Sequence, residues 1–205
     1  VAPPSAPTFA EAAEAFVASH GPKLKGTTRG DYARLLRTYL IPAFGKKQLK
    51  AITRADVSAA HAKWKNNPRA ANYALSVLSK LMTWAEDQGF RPDNTNPCRR
   101  VQRYKSTGGK REYFMQPDEL ARMGTALDKA AAENLIGPYS IAALRLLILT
   151  GARRNEILTL QWSHVDVERR MLFLPDSKTG KKPITLSDQS IAVLTALPRF
   201  ANNPY

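Results

Sequence analysis

The stretch from Leu144 to Leu186 constrains the fold more than any other part of the chain, because it combines helical, turn and strand signals in one run. Its first residues, through Leu149, are so densely apolar that they predict a helix inside a core. Thr150 and Gly151 then end that helix, since glycine readily adopts the left-handed conformation that stops one. A second, short helix is predicted to begin at the arginine pair that follows.

These arginines, Arg153 and Arg154, fall in the first turn of the second helix, where the helix macrodipole disfavours a cation unless an anion joins it. A local conflict of this kind tends to mark a functional site. Glu156 lies one helical turn from Arg153, so we expect its carboxylate to orient the arginine rather than to react.

The last part of the stretch predicts a β-hairpin. Residues 171–174 form a compact apolar run that stops at Pro175, as a buried strand would. Residues 176–180, Asp-Ser-Lys-Thr-Gly, have the composition of a turn, and residues 183–186 are typical of the return strand. Lys178 is therefore predicted to lie near the tip of a hairpin that projects from the domain.

The chain of 205 residues carries a formal net charge of +14. This charge favours polyanionic partners, with nucleic acid ahead of membranes because no long apolar or basic amphipathic anchor accompanies it. The net charge alone is also compatible with a generic basic soluble protein. Cys98 is the sole cysteine, which excludes an intrachain disulfide framework and a zinc cluster and fits a reducing cytoplasm. The three histidines are widely scattered, so we predict no metal site.

Four amphipathic helices are predicted before a break in composition at residues 90–111, which is rich in Pro, Asn and Gly. Their predicted bounds are Thr8 to Gly21, Thr28 to a stop before Pro42, Thr53 to Trp64, and Pro68 to Gln88. Beyond the break, helices are expected from Pro117 to Ala132, from Pro138 to Leu149, and from Ser187 to Leu197. The predicted domains are therefore residues 1–98 and 113–205, joined by a basic linker at 99–112.

Basic side chains that lie off the apolar stripes are candidates for phosphate contacts, although a solvated surface is the commoner meaning of any single one. The second and fourth helices supply Arg29, Arg34, Arg37, Arg69 and Lys80, with Asn72 and Ser76 near the last two. The linker adds Arg99, Arg100, Arg103, Lys105, Lys110 and Arg111. Such a run is either a solvated tether or a segment that lies along the backbone of a duplex. In the second case the affinity of the protein for DNA falls steeply with salt.

Several short motifs follow one another in the second half of the chain. They are Thr150-Gly151-Ala152-Arg153 with Glu156, then Leu160-Gln161-Trp162, Val165-Asp166 and Ser177-Lys178-Thr179-Gly180-Lys181. This ordered set resembles the first half of the catalytic domain of the tyrosine recombinases, the phage integrase family. The four earlier helices and Asn96-Pro97 resemble the family's core-binding domain. The resemblance implies a mainly α fold with a small antiparallel β hairpin or sheet, in which a four-helix, SAM-like core-binding domain precedes a truncated α+β catalytic domain.

The resemblance also implies a function, the site-specific breaking and rejoining of duplex DNA through a 3′-phosphotyrosyl intermediate. It implies that Arg153 grips the scissile phosphate, for which an always charged, planar guanidinium is well suited. It implies that Lys178 assists departure of the 5′ oxygen, since an ammonium can donate a proton. No metal or other cofactor is expected, and further copies of the protein are expected to assemble on paired DNA sites.

One departure from the family concerns its later motifs. The family's His-x-x-Arg box and nucleophilic tyrosine do not follow Leu197, and Tyr205 is not assigned that role. We therefore expect the chain to bind DNA and carry part of a catalytic pocket, yet to be inactive alone. A natural end near Tyr205 would instead fit a non-catalytic DNA-binding module or inhibitor on the same scaffold. A helical adaptor for an acidic protein is a third interpretation.

Overall fold

The chain divides into two compact units, Val1–Arg111 and Glu112–Tyr205. The structure is a computed structural model that describes residues 7–105, 113–177 and 180–204. Most of these residues are helical, and a three-stranded antiparallel sheet lies in the second unit. The predicted fold class, mainly α with a small antiparallel sheet, is confirmed, while the SAM-like arrangement of the first helices stays a prediction. No helix within the described ranges is both long and apolar enough to cross a membrane.

The first unit is built from helices, two of which begin at predicted threonine caps. Their bounds are α1 Phe9–His20, α2 Gly26–Leu35, α3 Ile41–Phe44, α4 Arg54–Lys63 and α5 Pro68–Asp87. The hydroxyl of Thr8 accepts the Glu11 N–H at 3.4 Å, and the hydroxyl of Thr53 accepts the Asp56 N–H at 3.2 Å. In return, each carboxylate accepts the backbone N–H of its threonine. These capping boxes pair amides that the first turn of a helix leaves unsatisfied.

The second predicted helix does not stop before Pro42, which corrects the sequence-based expectation. At Leu35 α2 passes into a π turn, Leu36–Leu40, that leads directly into α3. Proline lacks an N–H, and in a regular α-helix its ring collides with the carbonyl four residues earlier. The wider π turn changes the hydrogen-bond register just before Pro42, which then sits in the first turn of α3, where a donor is not needed.

A single apolar cluster forms the core of the first unit, and α5 contributes most to it, as predicted. Its largest fully buried side chains include Phe9, Phe16, Leu35, Leu40, Leu49, Leu78, Leu81 and Met82. These residues come from α1, α2, the π turn, a short 3₁₀ turn at Leu49–Ala51 and α5, so burying them turns the polar sides of the same helices outward. The basic residues of α2 and α5 are thereby left on the surface.

The second unit combines helices with the sheet. Its elements are α6 Pro117–Ala132, α7 Pro138–Thr150, α8 Arg154–Leu158, β1 Val165–Asp166, β2 Met171–Ser177, β3 Gly180–Thr185 and α9 Asp188–Thr195. The strand order is β1-β2-β3, and Leu172 on β2 lies opposite Val165 on one side and Ile184 on the other. The return strand of the hairpin begins at Gly180, earlier than the predicted start at Pro183. Leu146, Ile157, Leu172, Leu174, Ile184, Leu186 and Leu194 form the core.

The apolar end of α7 lies only partly inside this core, contrary to expectation. Leu146 is 3% exposed, whereas Leu144, Ile148 and Leu149 are 42%, 44% and 40% exposed. A helix that is apolar all round is normally buried all round. Here the described neighbours α6, α8 and α9 cover one side of α7. The prediction that α7 is buried, which was based on its density of apolar residues, is therefore correct for that side only.

Candidate functional site

A glycine turn after α7 sets the position of Arg153. Gly151 has a φ of +59°, the left-handed conformation predicted for it, and ends α7. The Thr150 hydroxyl donates to the Leu146 carbonyl at 2.6 Å and accepts the Ala152 N–H at 3.2 Å. These bonds brace the turn, so Arg153 becomes the N-cap residue of α8, with extended backbone angles.

Glu156 holds Arg153 at the start of α8. Its Oε1 accepts a hydrogen bond from Arg153 Nη1 at 2.8 Å, and its Oε2 accepts the Arg153 backbone N–H at 2.9 Å. The side chain of Glu156 is only 6% exposed, whereas that of Arg153 is 49% exposed. Two directional bonds to one carboxylate restrict the arginine, and an ionised partner makes the guanidinium bond a strong one. The guanidinium is therefore held in place while half of its side chain stays open to solvent.

Lys182 on β3 is a third member of this cluster, and the sequence interpretation missed it. Its Nζ donates to Glu156 Oε2 at 3.2 Å, and its side chain is 35% exposed. Because residues two apart on a strand share a face, Ile184 and Leu186, both buried, place Lys182 on the inner side. The same alternation leaves Lys181 exposed on the outer side. This periodicity was the sequence signal that could have identified Lys182.

Lys178, the second predicted catalytic residue, lies outside the described residues. The strands of the predicted hairpin are present on either side of it, since β2 ends at Ser177 and β3 begins at Gly180. The Cα partners Ser177 and Gly180 close the ladder, and its register shifts between Leu174 and Ser177. The catalytic role of Lys178 stays a prediction.

The basic residues predicted on the helices of the first unit are all exposed, namely Arg29, Arg34, Arg37, Arg69 and Lys80. Arg69 and Lys80 lie on the same side of α5, about three turns or 16 Å apart, because eleven residues complete about three turns. Arg34 pairs with Asp31 at 3.1 Å, but both side chains are about half exposed, so this ion pair contributes little to stability. These side chains are accessible to a polyanion, and their contact with DNA stays a prediction.

Positive charge is concentrated around Lys80. The pKa of His20 lies below its ordinary value of 6.5, because burial and the nearby charges of Lys80 and Lys23 all disfavour the imidazolium form. The His20 ring stacks on Phe16 at a centroid distance of 5.0 Å, which explains its partial burial. Neither His20 nor Lys23 was among the residues predicted from the sequence.

The beginning of the basic linker is fixed to the first unit. The Tyr104 N–H donates to Asn72 Oδ1 at 3.0 Å, and Asn72 Nδ2 donates to the Tyr104 carbonyl at 2.9 Å. The Tyr104 ring stacks on buried His61 with centroids 4.5 Å apart. Asn72 therefore binds the linker internally, which corrects the expectation that it follows a phosphate backbone.

These contacts anchor the first part of the linker, which is therefore more than a solvated tether. Its predicted DNA-binding residues Arg99, Arg100, Arg103 and Lys105 are exposed. Lys110 and Arg111 lie outside the described residues. Sequence periodicity gave no sign of the anchor, because Asn72 and Tyr104 meet only in the folded chain.

Metal-binding and thiol chemistry find no support among the residues that the structure describes. In residues 7–105, 113–177 and 180–204, no three His, Cys, Asp or Glu side chains form a group that could hold a metal ion. Cys98 is buried, and this burial raises the pKa of its thiol to about 12. Since the thiolate is the reactive form, Cys98 is a core residue and not a nucleophile at neutral pH.

Both units match models of known protein families. The model described as the phage integrase central domain matches residues 9–103, and the model described as the phage integrase family matches residues 113–199. Prophage integrase IntF of Escherichia coli (strain K12) is 27% identical over 143 residues, which cover 67% of this chain and 30% of that protein. The chain spans less than half the length of the curated relatives it matches.

Solved structures share the fold. A lambda integrase dimer bound to a COC′ core site has a TM-score of 0.67 at 20% identity, over 87% of this chain and 49% of that one. The Tn1549 transposon integrase, in complex with circular intermediate DNA, has a TM-score of 0.70 at 14% identity, over 97% of this chain and 69% of that one. With a family model on each unit and this fold, the chain belongs to the tyrosine recombinase, or phage integrase, family.

Proposed function

We propose that this chain supplies the DNA-binding part and the first half of the catalytic site of a site-specific tyrosine recombinase. Such an enzyme breaks and rejoins duplex DNA through a 3′-phosphotyrosyl intermediate, and no residue of this chain is assigned as the nucleophile. In this proposal residues 1–98 form the core-binding domain, residues 99–112 the linker, and residues 113–205 the first part of the catalytic domain. Copies of the protein meet on paired DNA sites, which the DNA-bound lambda integrase dimer supports.

The observation that carries the proposal is the held but accessible guanidinium of Arg153. During strand cleavage the scissile phosphate gains charge on its non-bridging oxygens, and donors that are already in position stabilise this charge best. The bonds to buried Glu156 hold Arg153 in advance, and the exposed half of its side chain leaves room for a phosphate. Arg153 is thus the proposed phosphate clamp, and Glu156 the residue that orients it.

Lys178 is the proposed acid for the leaving 5′ oxygen. The Ser-Lys-Thr-Gly motif supports this role, as does the position of β3, which lies beside the start of α8 because Lys182 reaches Glu156. In this proposal the hairpin brings Lys178, as a second cation, to the phosphate that Arg153 binds. Proton donation by a positioned side chain typically accelerates a reaction by about 10²–10⁴-fold.

Electrostatic attraction between duplex DNA and exposed cations is the proposed basis of binding. The cations are Arg29, Arg34, Arg37, Arg69, Lys80, Arg99, Arg100, Arg103 and Lys105, with Lys110 and Arg111 from the sequence. Each neutralised phosphate adds about 0.9 to the slope of log affinity against log salt. Fluorescence anisotropy of this chain on a labelled duplex from 50 to 200 mM salt is expected to show a steep linear loss. No duplex affinity, or affinity that salt does not weaken, contradicts DNA binding and favours an acidic protein partner.

Covalent adducts distinguish a recombinase from a non-catalytic DNA-binding module. The product of the complete reading frame is incubated with nicked duplexes that trap the phosphotyrosyl intermediate. We expect adducts on the cognate site in the absence of added metal. Site-specific binding by this product without any adduct favours the module instead.

A further inference from the structure

We propose that Lys182 is a positioning residue that fixes Arg153 through Glu156. Lys182 lies on the inner face of β3, and its Nζ donates to Glu156 Oε2 at 3.2 Å. The same oxygen accepts the Arg153 backbone N–H at 2.9 Å, and Oε1 accepts Arg153 Nη1 at 2.8 Å. One buried carboxylate therefore joins a strand of the hairpin to the start of α8.

The second cation of this cluster, Lys182, has an electrostatic effect on Arg153. A buried carboxylate with Arg153 as its sole cationic partner forms a pair without net charge, and such a guanidinium attracts an anion weakly. Lys182 places a second cation beside the same carboxylate, which adds to the positive charge that attracts a phosphate to Arg153. Burying a carboxylate is costly unless cations and hydrogen bonds compensate, and Lys182 supplies one of each to Glu156.

The position of Lys182 couples the hairpin to Arg153. Lys182 pairs with Leu174 in the β2–β3 ladder, and Leu174 is buried in the core of the second unit. Its ammonium is thus attached to a firmly packed part of the sheet and limits the movement of Glu156. A displacement of about 1 Å in a catalytic group can cost roughly 100-fold in rate. The catalytic consequence of this coupling rests on the proposed function, whereas the coupling itself does not.

The coupling is tested in this chain by NMR of the Arg153 side chain. The Arg153 Nε–Hε signal is assigned by its loss in Arg153→Lys and is then followed in Lys182→Met, which keeps the aliphatic stem without the charge. Lys181→Met is the matched control, because it makes the same change on the outer face of the same strand. We expect the signal to shift and broaden in Lys182→Met, to stay in place in Lys181→Met, and to recover in Lys182→Arg.

An Arg153 signal that is unchanged in Lys182→Met, with the fold intact by its amide spectrum, overturns the inference. If Lys182→Met fails to fold, Lys182→Leu takes its place, because its apolar side chain has neither the charge nor the hydrogen-bond donor. In this variant too, the Arg153 signal is expected to shift and broaden, and an unchanged signal overturns the inference.

The catalytic consequence is tested by adduct formation in the product of the complete reading frame. Lys182→Met is expected to slow the single-turnover rate by roughly 10- to 100-fold, the usual effect of losing a hydrogen bond to a charged group, with duplex affinity nearly unchanged. Equal slowing by Lys181→Met indicates a general charge effect and contradicts positioning. If the wild-type product forms no adducts, the proposed function fails, and the NMR result still decides the coupling.

Discussion

Replacing Glu156 with glutamine is expected to destabilise the second unit by about 2 kcal/mol. The change keeps the size of the side chain and one carbonyl oxygen, but it removes the charge that Arg153 and Lys182 share. A hydrogen bond to a charged group contributes about 1.5–3 kcal/mol, so losing two of them corresponds to roughly 3–6 kcal/mol. Because the two cations are 49% and 35% exposed, water compensates for roughly half of this loss, which leaves about 2 kcal/mol.

Native-state hydrogen exchange is the suitable assay, because it reports the second unit separately from the first. The backbone amides of β2 give the free energy of opening of the sheet core, where Leu172 lies opposite Ile184. Glu168→Gln is the matched control, since Glu168 is an exposed carboxylate of the same unit. An effect of Glu156→Gln within about 0.5 kcal/mol of wild type, the range of ordinary surface substitutions, would refute a structural role for the buried carboxylate.

Three further predictions concern individual cations. Lys178→Ala in the product of the complete reading frame is expected to slow adduct formation by about 10²–10⁴-fold with duplex binding retained, and unaltered cleavage excludes Lys178 as the acid. Lys80→Ala is expected to lower the salt slope of duplex affinity, measured by anisotropy, by about 1, and an unchanged slope means that Lys80 meets no phosphate. NMR titration of His20 is expected to give a pKa below 6.5 that rises in Lys80→Ala. Since the folded-state pKa is lowered, the unfolded chain binds more protons between that pKa and 6.5, so the stability of the first unit falls as the pH drops through this window. A His20 pKa at or above 6.5 contradicts this prediction.

The helices and the hairpin could be predicted where local chemistry decides the structure. Thr8 and Thr53 form caps with acids three residues later, and Gly151 adopts the left-handed conformation that ends α7. The continuation through Pro42 could not be predicted in this way, because a π turn inside a helix has no strong sequence signature. The exposure of Ile148 could not be predicted either, because it depends on which elements cover α7, and the apolar composition of the helix does not indicate this.

The site was predictable to the extent that it is local in sequence. Arg153 and Glu156 are one helical turn apart, so their contact follows from the helix that joins them. Lys182 reaches the same carboxylate across 26 positions of sequence, and the anchor between Asn72 and Tyr104 spans 32. Such contacts depend on the packing of whole elements, which one sequence does not specify.

The most direct measurement of the central claim is the rate of covalent adduct formation by Arg153→Ala and Arg154→Ala in the product of the complete reading frame, on nicked duplex at saturation. Arg154 is the matched control, because it is the neighbouring, exposed arginine, whose Nε contacts Asn155 at 3.3 Å. We predict that Arg153→Ala lowers the rate by at least roughly 10²–10³-fold, as removal of a preorganised donor does, while duplex binding persists and Arg154→Ala reacts almost normally. Normal adduct formation by Arg153→Ala, or equal loss in both variants, would contradict the assignment of Arg153 as the phosphate clamp.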